Sequence, residues 1–123
     1  MLPRGGDRAD AGQRGRRRRA AGTLSERGGR VVVGVAVWEL MLPGCASLKE
    51  KRQVVLGLKD RLHARFNVSA AETAWHDVHD RAQIAACVVS NDRKHAQSVL
   101  QSADRVVEEE GRARITDSYT TFY

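Results

Sequence analysis

The chain has 123 residues, 41% of them hydrophobic, and a formal net charge of +6. That length suits one ordinary domain, and no apolar run approaches the roughly 20 residues of a membrane-spanning helix. The N-terminal charges have no apolar segment behind them, so they do not read as a secretory signal. Cys45 and Cys87 are too few for a disulfide framework, which predicts free thiols in a reducing cytoplasm.

The charge is not spread evenly. Residues 1–30 hold nine arginines against Asp7, Asp10 and Glu26, which accounts for the whole net charge. Residues 31–123 balance twelve cations with twelve acids. The first 30 residues are rich in Gly, Arg and Ala and nearly free of large apolar side chains. They cannot bury enough surface to offset chain entropy and are expected to be a disordered basic tail. Arg16 to Arg19 would attract RNA, DNA or an acidic membrane surface by counterion release, although such runs are commonly only solvated. Pattern begins abruptly at Val31-Val32-Val33, so translation starting near Val31 is a second reading. A native mass that includes Met1 would exclude it.

From Val31 the elements follow in order. "VVVGVAVWEL" (31–40) predicts a strand rich in β-branched residues and apolar on both faces as far as Glu39. Pro43-Gly44 ends it. Ser47 followed by Glu50 reads as a capping box. Leu48, Val55, Leu58, Leu62 and Phe66 then form one helical stripe. "NVSAAETAW" (67–75) predicts a second strand, "HDVHDR" (76–81) a polar hairpin and "AQIAACVVS" (82–90) a third, central strand. Asn91-Asp92 starts a second helix, whose buried face is Ala96, Val99, Leu100, Ala103, Val106 and Val107. Gly111 stops it. "RARITDSYTTFY" (112–123) predicts a final edge strand.

The order β-α-β-β-α-β is that of the ferredoxin-like α+β sandwich. Right-handed crossovers put both helices on one face of an antiparallel sheet of order 4-1-3-2. Strand one is apolar on both faces, yet helices cover only one. Either loops and strand-four aromatics cover the other, or a symmetric homodimer does.

This topology gathers the first loop, the hairpin and the end of helix two at one end of the domain. Lys49, Lys51 and Arg52 sit in the first turns of a helix, where a partial positive charge already disfavours cations. Free N–H groups at a helix start shaped by Ser47, together with these three cations and Arg81, make a candidate anion site suited to RNA phosphates. The alternative is local neutralisation by Glu50, Asp77, Asp80 and the Glu108–Glu110 run. His76, His79 and Cys45 are weak as zinc ligands, because they lie on loops and supply one thiol. They are weak as a nucleophile and base for want of a positioned oxyanion site. No catalytic residue, metal or cofactor is expected. Trp38 is expected to be buried, and Trp75 reads either way. The aromatic third-strand signature of the RNA-recognition motif is absent from "IAACVVSND", which argues against base stacking on the sheet.

"VVGVAVWELMLPGCASLKEKRQVVLGLKDRLHARFNVSAAE", then "QIAACVVSNDRKHAQSVL", resembles the bacterial YlxP-like family, the domain of unknown function numbered 503. The pieces carrying the resemblance are Leu42-Pro43-Gly44, Ser47-Leu48-Lys49, Lys51-Arg52, Arg65-Phe66-Asn67-Val68-Ser69, Arg81-Ala82 and Ser90-Asn91-Asp92. It implies a small cytoplasmic ferredoxin-like domain over residues 31–123 and brings no activity with it. Genes of the family often neighbour genes for ribosome maturation and translation initiation, which implies association with RNA or a ribosomal particle. Trp75, His79 and Asp80 depart from the family's pattern in the hairpin. The leading expectation is therefore a non-enzymatic RNA- or ribosome-binding module. A homodimeric interaction module is the alternative. A small phosphate-ester hydrolase ranks third, since the phosphate loop of acylphosphatases is missing from "LPGCASLKEKR".

Overall fold

The computed structural model describes residues 29–123, so the expected tail lies almost wholly outside the described residues. The elements are β1 (Val32–Met41), α1 (Leu48–Arg65), β2 (Ser69–Ala74), β3 (Arg81–Ser90), α2 (Arg93–Glu108) and β4 (Arg114–Phe122). The four strands form one sheet in the order β2-β3-β1-β4, with every pairing antiparallel. This is the predicted 4-1-3-2 order read from the other edge.

Strand alternation decides which side chains meet the helices. Val32, Ala36, Trp38 and Leu40 of β1 and Ala82, Ile84, Ala86 and Val88 of β3 are all buried. They pack with Val54, Val55, Leu58 and Leu62 of α1 and Ala96, Leu100, Ala103, Val106 and Val107 of α2. Gly34 permits the closest approach in this layer. A Cβ there would lie 2.9 Å from Leu100 Cδ1 and 3.1 Å from the Phe122 ring. Trp38 is fully buried as expected, and its indole N–H donates to Asp104 Oδ1 at 2.8 Å. The burial is thus compatible with a satisfied polar atom.

Both helix starts are capped as the sequence suggests. The Ser47 hydroxyl accepts from the Glu50 N–H at 3.1 Å, and Glu50 Oε1 accepts from the Ala46 N–H at 2.7 Å. Asp92 caps α2 by accepting from the Lys94 N–H. Past α2, Glu110 is buried and accepts from Arg61 of α1 at 2.8 Å and from Arg112 at 3.0 Å. Those two guanidiniums hold its carboxyl at about 2 against an ordinary 4.5, Arg112 having the larger effect. The Glu108–Glu110 run therefore serves α1 and the last turn through Glu110, and among the described residues none of its ion pairs reaches Lys49, Lys51 or Arg52.

The other face of the sheet carries Val33, Val35 and Val37 from β1 beside Val89, Cys87 and Ala85 from β3, in direct register. No helix covers this face among the described residues.

Candidate anion site and the buried lysine

The four cations expected to act together are separated by the fold. An α-helix turns about 100° per residue. Lys51 is therefore in phase with Val55, Leu58 and Leu62, at intervals of four, three and four residues, and all four are buried. Its side chain has no solvent exposure. The ammonium donates to the carbonyl oxygens of Trp75 at 2.7 Å, Arg81 at 3.3 Å and His76 at 3.4 Å. It also lies 2.9 Å from Glu72 Oε2, as an ion pair rather than an aligned hydrogen bond. This corrects the expectation for Lys51. Its charge is spent on the hairpin backbone and is closed to an external anion.

Arg81 lies elsewhere again. It opens β3 opposite Met41, in phase with Gln83 on the open face of the sheet, and its guanidinium stacks over the Trp75 ring at 4.2 Å. The Trp75 indole donates to Glu39 Oε1 at 3.1 Å, and Gln83 Nε2 donates to Glu39 Oε2. Thr73 donates to Gln83 Oε1 at 2.6 Å. Arg81 thus belongs to a polar cluster on the sheet, on the opposite side from α1. Trp75 carries a φ of 66°, in the left-handed region, where a bulky side chain is an outlier. The Lys51 ammonium grips the carbonyl of that same residue, which also accepts from the Val78 N–H.

Lys49 and Arg52 remain. Both are exposed, and together with half-buried Lys59 they fall within an arc of roughly 80° on the outer side of α1. None of the three is ion-paired among the described residues. The signal that separates Lys51 from its neighbours was present in the sequence as helical phase, masked by its charge.

The hairpin histidines are occupied by backbone. His76 Nε2 meets the Glu72 carbonyl at 3.1 Å and His79 Nδ1 meets the Cys45 carbonyl at 2.9 Å. Among the described residues no three His, Cys, Asp or Glu side chains are grouped to hold a metal ion. The Cys45 thiol is buried. Burial, with Glu50 nearby, raises its pKa, which disfavours the thiolate a nucleophile needs. A groove of about 1030 Å³ beside it is lined by Gln53, Asp104, Glu108, Arg112 and Arg114, among others. The groove is mixed in charge.

These observations define a small ferredoxin-like α+β sandwich whose loop end is stitched together from within by Lys51. The chain belongs to the family described as protein of unknown function, DUF503, whose model matches residues 33–120. It is similar to the "Uncharacterized protein YlxP" of Bacillus subtilis (strain 168), at 33% identity over 70 residues covering 57% of this chain and 76% of that protein. Among solved structures it is similar to a C-terminal segment of the alpha subunit of aIF2 from Pyrococcus abyssi. The identity there is 21% and the TM-score 0.42, over 75% of this chain and 49% of that one, so this chain spans about half of it. It is also similar to a designed protein with a ferredoxin fold, LFR1 1, at 16% identity and TM-score 0.43, covering 75% and 82%. At such identities the likeness is one of fold alone.

Proposed function

We propose that the protein is a non-enzymatic cytoplasmic module that binds RNA or a ribosomal particle through the outer face of α1. The observation that carries this reading is the unpaired set Lys49, Arg52 and Lys59 on one arc of the helix. With a rise of 1.5 Å per residue, Lys49 and Lys59 are about 15 Å apart along the axis. That distance spans two to three phosphates of an extended strand. The ligand set differs from the one the sequence suggested: Lys49 and Arg52 stay, Lys59 joins, and Lys51 and Arg81 leave. Ser47 shapes the helix start, its hydroxyl being taken by the Glu50 N–H. Titration of a labelled single-stranded RNA with the full-length chain and with Lys49→Glu/Arg52→Glu tests the reading. Loss of most of the affinity in the variant is expected, and equal affinity would end it.

A protein-interaction module working through the open sheet face is the second reading. It is favoured by half-buried Val33 and Val35 of β1, on the face that no described helix covers, and by Val89, which is 65% exposed. Hydrolysis of a phosphate ester has no comparable support, because the cations such chemistry would need are divided among three surfaces.

A further inference from the structure

We propose that the open face of the sheet is the contact surface of a symmetric homodimer, in which two copies stack sheet to sheet as a four-layer sandwich with the helices outside. The proposal rests on the second reading above and names its partner.

The relief of the face is complementary to itself. β1 presents a ridge of half-buried Val33 and Val35, with Val37 buried beside it. The adjacent β3 presents the smaller Ala85 and Cys87 opposite Val37 and Val35, with Val89 opposite Val33. A two-fold axis running along the strands between β1 and β3 places each ridge over the other copy's β3. Val35 then meets Cys87 and Val33 meets Val89, while buried Val37 lies level with Ala85. Face-to-face sheets with nearly aligned strands are a standard packing, about 10 Å apart. An isologous contact brings the same patch together twice and so penalises any patch of one charge. These six residues carry none.

The polar end of the face fits the same arrangement. Its carboxylates are Glu39, whose two oxygens already accept from Trp75 and from Gln83, and its ladder partner Asp117, which accepts from the Ser118 N–H. The proposed axis sets Glu39 over the partner's β3 and keeps the two Glu39 carboxylates from meeting head on. Four strands spaced by about 4.8 Å and some 30 Å long offer roughly 600 Å² before side-chain relief is counted. Standard interfaces bury about 600–1000 Å² per partner, so the face reaches the lower end of that range. A second copy is the occupant that this self-fitting shape, uncharged at its centre, selects.

The test is the mass of the full-length chain by light scattering at about 10 and about 100 µM, for the parent and for Val35→Lys and Ala85→Lys. Both substitutions lie on the face that no described helix covers, and circular dichroism reports whether each variant stays folded. The expected result is twice the monomer mass for the parent and the monomer mass for folded variants. A parent that is monomeric at the higher concentration overturns the proposal, as does a dimer that survives both lysines. Binding of anilinonaphthalene sulfonate separates the two kinds of failure. A monomer that binds the dye, and loses it with Val35→Lys, keeps the face as a surface for another protein. A monomer that does not bind it removes the second reading as well.

Discussion

The Lys51 ammonium donates at 2.7 Å to the carbonyl of Trp75, the one described non-glycine residue with a positive φ. The contact joins the first turn of α1 to the most strained point of the β2–β3 connection. A left-handed backbone at a bulky residue persists only where its surroundings over-determine it. Lys51 supplies that constraint from below, through three carbonyls and Glu72. Arg81 and Glu39 hold the Trp75 ring from above.

Removing this ammonium should be among the costliest single changes in the domain. Lys51→Met fills much of the space but strands Glu72 and takes a donor from three carbonyls, of which Trp75 keeps the Val78 N–H, and breaking a buried pair from one side typically costs about 3–5 kcal/mol. The expected outcome in urea denaturation is a loss of at least about 3 kcal/mol. Adding Glu72→Gln to Lys51→Met should restore part of it, since the orphaned charge is then gone. A loss below about 1 kcal/mol would show that Lys51 does not hold the hairpin.

Glu110 predicts an acid limb. Its carboxyl titrates at about 2 when folded and at an ordinary 4.5 otherwise. A depressed carboxylate pKa stabilises the fold fully above the unfolded value and loses that contribution as pH falls through the folded one. Stability should therefore decline between pH 4.5 and about 2. The size is on the order of 2 kcal/mol, as for a charge-assisted hydrogen bond, because Arg61 and Arg112 are partly in water. Urea midpoints across that range should fall for the parent, and the fall should be shallower for Glu110→Gln.

Most of the scaffold was legible because local and global signals agree. Ser47, Glu50 and Asp92 cap where the pattern places them, Gly111 follows α2, and the strand order follows from connectivity. The functional end was less legible because residue type and helical phase conflict. Lys51 looks like a surface cation by type and like a core residue by its spacing from Val55, Leu58 and Leu62. Topology alone groups Arg81 with α1, because both lie at one end of the domain. The alternation of β3 sends it to the opposite face. Ladder partners such as Glu39 and Gln83 are 44 positions apart in sequence, and no local pattern announces their hydrogen bond.

The helix layer makes its own prediction at Gly34. Alanine there brings its methyl within 2.9 Å of Leu100 Cδ1 and 3.1 Å of Phe122. Both neighbours sit in a packed layer, and overpacking of this kind costs about 1–3 kcal/mol. Gly34→Ala should lower the thermal midpoint. Its effect should shrink in a Leu100→Ala background, where the clashing methyl is absent. Additive losses in the double variant would place the strain elsewhere.

The proposed RNA contact can be counted by salt as well as by affinity. Each phosphate neutralised on a single strand contributes about −0.7 to the slope of log K against log salt. The arginines of residues 1–30 add to the slope of the full-length chain, so the informative quantity is the difference between parent and variant. Lys59→Gln should flatten the slope by about 0.7 if it meets a phosphate, and Lys49→Gln/Arg52→Gln by about 1.4. Arg81→Gln should leave the slope unchanged, because that guanidinium lies over Trp75 on the far side of the sheet. Salt titrations of all three variants against one RNA decide the matter. A slope that drops for Arg81→Gln and holds for Lys49→Gln/Arg52→Gln would move the contact from α1 to the sheet.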